Sequence, residues 1–255
     1  MDYFEKYKEF LPVLKIEERE LIKEFFAMLK SEAMPYGFIG KTDSLEELWL
    51  RHIADSLLVL QDNHSSNIFN EFKGNFYDIG SGAGLPGILY SILYPGANIF
   101  LVDSSMKRTT FMEKVCSKLS LSNTKVLCSP VEKLNTIDNP ADIITFRAFR
   151  KPLAALELIL TISNSKSKIL YWRSRPFENP RDDDTSADKN RTTKVDIMNR
   201  VSDLGYSIVK FETLNSPSEL GPRGYYLFDY TGETKKGFPR SWARIKKDQI
   251  VEGVI

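Results

Sequence analysis

Four side chains in the first 150 residues stand where charge could hold a nucleotide-like ligand. Asp78 closes the apolar run Phe76-Tyr77 and is followed at once by Ile79-Gly80-Ser81-Gly82-Ala83-Gly84-Leu85-Pro86-Gly87. Alternating glycines permit positive φ and carry no Cβ to hold a ligand away. Pro86 then marks a helix start, where unpaired N–H groups point outward. A second apolar run ends in Phe100-Leu101-Val102-Asp103, where an acid can accept hydrogen bonds from ribose hydroxyls. For Asp78 and Asp103 the competing reading is a solvated carboxylate at a strand end. A third run is followed by Ser129-Pro130-Val131-Glu132, a small, apolar and acidic set able to close over an adenine. Glu132 fits equally as a helix-start carboxylate favoured by the dipole. The fourth run ends Ile144-Thr145-Phe146-Arg147-Ala148. An arginine leaving a buried strand is costly unless paired, so Arg147 is either a site residue or a structural bridge to Asp78 or Glu132.

Two ligand classes fit the glycine loop. Gly82-Ala83-Gly84-Leu85-Pro86-Gly87 matches the dinucleotide fingerprint G-x-G-x-x-G, which alone is a weak signal for a nicotinamide or flavin enzyme. A pyrophosphate, however, disfavours a carboxylate at the mouth of its loop. Asp78 suits a cationic ligand such as the amino acid moiety and sulfonium of S-adenosylmethionine.

These residues need a scaffold that brings strand ends together. From residue 75 apolar strands alternate with helices: strands near 75–80, 97–103, 124–128, 141–146 and 167–172, and helices near 86–94, 105–119 and 152–162. That order predicts an α/β fold with a parallel sheet, whose loops converge on one crevice. Segment 174–192 is polar and reads as a loop, followed by a helix to about Gly205. Strands near 206–213 and 224–230 are joined by a connector too short for a crossover, so they pair antiparallel at one sheet edge. The first seventy residues are helical. Leu21, Ile22, Phe25, Phe26 and Leu29 recur at helical spacing. Ser44 with Glu47 forms a capping box opening a helix that buries Leu45, Leu48, Trp49, Ile53, Leu57 and Leu60. The expected organisation is a helical cap over 1–72, a ligand-binding domain over 73–232 and a basic tail over 233–255.

Composition excludes several classes. With 255 residues, 42% hydrophobic and 27% charged, the chain is globular. A formal net charge of +1 leaves any nucleic-acid footprint to local patches. Two cysteines, Cys116 and Cys128, and two histidines offer no metal spacing, so no metal and a reducing, cytoplasmic location are expected. No apolar run has the length of a membrane span, and residues 1–6 lack the order of a signal peptide. The tail Lys235–Lys247 holds six basic residues, no acidic ones and two aromatics. It reads either as a solvated extension or as an arm whose charges track phosphates while Phe238 and Trp242 stack on bases.

The combination resembles a known family. Asp78–Gly87, then Leu101-Val102-Asp103-Ser104 with Lys107, Arg108 and Phe111, is similar to the RsmG (GidB) family, ribosomal RNA small-subunit methyltransferases G acting on guanine N7. Arg51-His52-Ile53-Ala54-Asp55-Ser56-Leu57 resembles the family's Arg-His-Ile-x-Asp-Ser helix, Arg147-Ala148-Phe149 its strand end, and Phe238-Pro239-Arg240 its Tyr-Pro-Arg ending. The likeness spans most of residues 16–247. It implies a Rossmann-like class I methyltransferase with a seven-stranded sheet, bound to S-adenosylmethionine and acting on small-subunit (16S) ribosomal RNA or the small ribosomal subunit, most simply as a monomer.

Carried over by position, the resemblance places cofactor contacts on Gly80, Leu85, Val131, Glu132 and Arg147. Asp78, Gly82, Gly84 and Asp103 join them from the residues' own chemistry. Arg51 and His52 are lifted, with Arg147, towards the acceptor side as positioning groups. By spacing alone Arg51 and Asp55 are an i,i+4 pair, worth about 0.3 kcal/mol, and His52 is an ordinary partly buried histidine. Lys107, Arg108, Arg150, Lys151, Arg173, Arg175 and the tail residues Lys235, Lys236, Arg240, Arg244, Lys246 and Lys247 are candidates for phosphate contact. The chain departs from the family at Phe38-Ile39-Gly40 (family Asn-Leu-Thr), at Pro130, at Arg173 where a lysine is common, and in an acidic loop at 177–184.

The absence of a nucleophile or base constellation suits that chemistry. Guanine N7 carries an in-plane lone pair and no proton, so transfer rests on positioning and electrostatics. The base must come from a loop or a splayed nucleotide, because an RNA helix hides N7 in its deep groove. A methyltransferase acting on another RNA, a non-catalytic ribosome- or RNA-binding module and an NAD(P)-dependent oxidoreductase are the competing functions.

Overall fold

The computed structural model describes residues 2–61, 68–134, 139–147, 152–173 and 194–251. The N-terminal part contributes helices α1 (Tyr3–Lys6), α2 (Ile16–Met28), α3 (Leu45–Trp49) and α4 (Asp55–Leu57). Ser44 caps α3 by accepting from the Glu47 amide at 3.0 Å. The return bond of the expected box instead comes to Glu47 from the Asp43 amide at 2.9 Å. Leu45 is a correction. It remains 43% exposed while Leu48, Trp49, Ile53 and Leu57 are buried, because the segment entering α3 is polar and offers no apolar cover.

Seven strands form one sheet among the described residues, in the order β3-β2-β1-β4-β5-β7-β6. They are β1 (Asn75–Ile79), β2 (Asn98–Asp103), β3 (Thr124–Cys128), β4 (Ile143–Phe146), β5 (Lys168–Arg173), β6 (Tyr206–Leu214) and β7 (Arg223–Tyr230). β1 to β5 are parallel, and β7 lies antiparallel to both β5 and β6. The expected edge hairpin is therefore present, with β6 outermost. The 174–192 segment, with its acidic 177–184 stretch, lies outside the described residues.

Helices α5 (Gly87–Leu93) and α6 (Met106–Lys118) cover one face of the sheet, together with the N-terminal helices. Phe76, Leu101 and Trp172 point into that core beside Phe25, Trp49 and Leu57. Tyr77, Phe100, Ile144 and Phe146 point the other way, onto α7 (Pro152–Leu158). Neighbouring strand residues thus alternate between two cores, as period-2 side-chain geometry requires. α8 (Lys194–Asp203) precedes β6, and α9 (Trp242–Val251) ends the described chain. β1 lies between β2 and β4, with connections departing to opposite faces, which opens a crevice at the carboxyl ends of these strands.

The C-terminal segment is neither a solvated extension nor a free arm. Phe238, Trp242 and Ile245 pack on the second core, and the Arg240 guanidinium lies 5.4 Å from the Phe238 ring centre. Both rings are half-buried against that core rather than free on an extended arm.

Candidate active site

β1 delivers Asp78 into the crevice at 1% exposure. Its Oδ2 accepts from the Gly87 amide at 2.9 Å, while Oδ1 is buried with no partner among the described residues. Burial raises its pKa to about 7, opposed by the Gly87 bond, then by the nearby Ser81 hydroxyl and the Arg147 charge. A Cβ at Gly87 would stand 2.2 Å from Leu101 Cδ2 and 2.9 Å from Asp78 Oδ2, so only glycine admits this contact.

The loop itself is held on β2. Gly80 and Ser81 donate to Val102 O at 2.8 and 3.1 Å, and Gly82 donates to Asp103 Oδ2 at 3.0 Å. Gly80, Gly82 and Gly84 take φ of 70°, 60° and 86°. Gly84 and Leu85 donate to Ser81 O. The amides of Gly80, Ser81, Gly82, Gly84 and Leu85 thus bond inside the protein, and the first amide of α5 is taken by Asp78. A dinucleotide pyrophosphate would need those amides, so the oxidoreductase reading loses its anion seat. A cationic group meets an unsatisfied carboxylate oxygen instead. The residues present fit S-adenosylmethionine.

Asp103 is 5% exposed and already engaged: Oδ1 accepts from Ser105 N at 2.9 Å, and Oδ2 from Gly82 N and Arg108 Nη1, the latter at 3.4 Å. A carboxylate offers about four lone-pair sites, so one remains for a hydroxyl. Val131 is buried in a 3₁₀ turn, Val131–Lys133, that also carries the half-buried Glu132.

Arg147 leaves β4 and crosses to the N-terminal helices. It donates to Ser56 Oγ at 2.6 Å and to Arg51 O at 2.7 Å, and lies 3.3 Å from Asp55 Oδ2. The expected bridge to Asp78 or Glu132 is not the one formed. Nor do Arg51 and Asp55 pair. Residues Leu50–Ala54 form a π-helical turn, and its extra residue rotates Asp55 away, a distortion frequent at functional sites. Arg51 bonds Glu47 at 2.8 Å instead. Asp55 Oδ1 accepts from Arg223 Nε at 2.6 Å.

Arg51, His52, Asp55, Arg147, Glu219, Leu220 and Arg223 line one cavity of about 330 Å³, a size that suits a small organic group. Burial and then the Arg147 charge bring His52 down to about 4, so it is neutral at physiological pH. The residues missed from sequence are Glu219, Leu220 and Arg223, which come from the end of the β6–β7 connector and the start of β7. No local motif marks them.

The predicted phosphate contacts divide. Lys107, Lys236, Arg244, Lys246 and Lys247 are exposed. Arg108 is half-buried against Asp103, and Lys235 lies 3.3 Å from Asp203. Arg173 ends β5 opposite Gly224. Arg240 is committed to protein: its backbone N, Nε and Nη2 all donate to Glu157 at 2.7–3.2 Å. Glu157 is 2% exposed, and a buried carboxylate holds its cation tightly. Ala148, Phe149, Arg150, Lys151 and Arg175 lie outside the described residues.

The family model of rRNA small subunit methyltransferase G matches residues 18–202. The chain belongs to that family. Ribosomal RNA small subunit methyltransferase G of Leptospira biflexa is 27% identical over 242 residues, covering 94% of this chain and 92% of its own. The Mesoplasma florum protein of the same name is 25% identical over 246 residues, covering 96% and 94%. Among solved structures, Pyrococcus horikoshii PH1948 matches at a TM-score of 0.53 and 14% identity, over 86% of this chain and 98% of that one. A mutant of MtNAS in complex with S-adenosylmethionine matches at 0.51 and 16% identity, over 84% and 72%. At such identities the likeness is one of fold, the Rossmann-like methyltransferase fold. The methyltransferase G family match ends before the β6–β7 pair that completes the cavity.

Proposed function

We propose that this chain transfers the methyl group of S-adenosylmethionine to N7 of a guanine in small-subunit ribosomal RNA. Family membership makes it an S-adenosylmethionine-dependent ribosomal RNA methyltransferase. The observation that carries the residue-level reading is the buried Asp78 with one unsatisfied oxygen at the mouth of the glycine loop. That oxygen suits the ammonium of the cofactor. Gly80, Gly82, Gly84 and Leu85 form the wall against it, Asp103 takes the ribose, and Val131 with Glu132 border the adenine. When bound, the cofactor supplies an electrophilic methyl on a sulfonium.

The acceptor guanine occupies the cavity beside Arg147, Arg51 and His52. N7 brings its own lone pair, so these residues orient the base and exclude water. A neutral His52 adds no competing positive charge and removes no proton. Exposed Lys107, Lys236, Arg244, Lys246 and Lys247 supply phosphate contacts, whose contribution falls with salt. No helix among the described residues is long and apolar enough to cross a membrane, and a ribosomal RNA substrate places the reaction in the cytoplasm.

The deciding experiment is mass spectrometry of small-subunit ribosomal RNA from cells with and without the gene. Loss of one 7-methylguanosine, restored by the purified chain and S-adenosylmethionine, is the expected result. Persistence of every 7-methylguanosine would overturn the assigned product, and cofactor binding without transfer to any RNA would support a non-catalytic binding module.

A further inference from the structure

We infer that Glu219 reads the N1–N2 edge of the acceptor guanine and thereby selects guanine over adenine. The inference rests on the methyl-transfer reading above and names the residue that gives its acceptor site base specificity. The cavity contains two carboxylates. Asp55 is occupied on both oxygens, by Arg147 and Arg223. Glu219 is exposed at the cavity and accepts from Ser218 Oγ at 3.1 Å. Among the described residues no lysine or arginine forms an ion pair with it.

Its backbone is nevertheless held. Glu219 sits in the 3₁₀ turn Ser218–Leu220, where Leu220 is buried and donates to Pro217 O at 3.0 Å. Ser216 Oγ donates to Gly221 O at 2.9 Å. Arg223 ties the following strand to Asp55. The turn that carries the carboxylate is thus held in place, and Ser218 Oγ makes the one hydrogen bond to the carboxylate among the described residues.

Guanine has two edges of opposite polarity. O6 and N7 accept, while N1–H and the N2 amino group are adjacent donors. For transfer N7 must face the methyl group of the cofactor, and the donor edge lies on the opposite side of the purine, where Glu219 on the cavity wall would meet it. A carboxylate accepts both donors at once. Adenine places a lone pair and a C–H there, which meet the same carboxylate unfavourably. Such polar readout discriminates far better than shape.

The test uses the full chain and a synthetic small-subunit ribosomal RNA fragment centred on the mapped nucleotide, carrying guanosine or inosine there. Inosine keeps N7, O6 and N1–H and lacks the amino group. The native enzyme should favour guanosine roughly tenfold or more in kcat/KM, the worth of one hydrogen bond to a charged group. Glu219→Gln should lose most of that preference with cofactor affinity and Tm unchanged. Equal use of the two RNAs by the native enzyme, or an intact preference in Glu219→Gln, overturns the assignment. Failure of the native enzyme to methylate either RNA, free or assembled into the small subunit, overturns the reading of the reaction, and this assignment with it.

Discussion

Arg147 Nη2 lies 3.3 Å from Asp55 Oδ2, joining the end of β4 to the helical segment that carries Arg51 and His52. Asp55 also holds Arg223 from the start of β7. One carboxylate therefore sets the distance between three segments that line the cavity.

Removing that carboxylate leaves two guanidinium groups facing each other with little water access. Asp55→Ala should destabilise the fold by about 3 kcal/mol, as expected when one partner of a mostly buried pair is deleted. Thermal denaturation checks this. Methyl transfer should fall much further than S-adenosylhomocysteine affinity, since Asp78 and the glycine loop are untouched. Equal losses would place Asp55 on the cofactor side.

Asp78 should oppose stability at high pH. Its folded pKa, about 7, lies above the ordinary 3.8. The group's contribution is therefore complete below the ordinary carboxylate range and is lost as pH rises through about 7, by up to about 4 kcal/mol. Asp78→Asn should flatten the pH dependence of stability between 4 and 7 and raise Tm at pH 8, while cofactor affinity falls at least roughly tenfold. In the native chain, affinity for the cationic cofactor should increase from pH 6 to 8. Denaturation and calorimetry at both pH values decide it.

Two glycines of one loop should fail differently when changed to alanine. At Gly84 a Cβ would stand 2.2 Å from Ile88 Cδ1, with φ at +86°. Overpacking and backbone strain together should cost about 2 kcal/mol. At Gly82 the nearest atom to a Cβ is Gly80 O at 3.9 Å, so only the left-handed backbone is penalised, by about 1 kcal/mol. Gly82→Ala should keep most stability and lose cofactor affinity, because its methyl group takes ligand space. Unaltered affinity in Gly82→Ala would move the ligand off this loop.

The C-terminal basic residues should separate by burial. Arg240→Ala strands the buried Glu157 carboxylate and should lower stability by about 3 kcal/mol. Replacing Lys236, Arg244, Lys246 and Lys247 together should leave Tm nearly unchanged. It should weaken RNA binding and flatten its salt dependence. RNA affinity that is insensitive to the fourfold change would remove this surface from the substrate path.

Local signals carried much of the fold. β1, β2, β4 and β5 were readable as apolar runs, because a strand buried on both faces needs apolar residues, and edge strand β3, with no buried residue, by its place in the strand–helix alternation. The glycine loop was readable because positive φ and close approach admit few residues. Leu45 and the Arg51–Asp55 spacing misled for a shared reason: both assumed a regular helical face, and neither polar entry to α3 nor the π turn at Leu50–Ala54 leaves a periodic trace. The tail misled because charge composition does not reveal a buried acid far upstream. Glu157 and Arg240 are 83 positions apart.

By itself the sequence determined the sheet, the glycine loop and the carboxylate at its mouth, all set by interactions within a few residues or by apolar periodicity. Tertiary structure alone decided the partners of the charges. Arg147 met Ser56 and Asp55 rather than Asp78, and Asp55 met an arginine 168 residues away. Ion pairing depends on which surfaces fold against each other, and spacing along the chain carries no record of that.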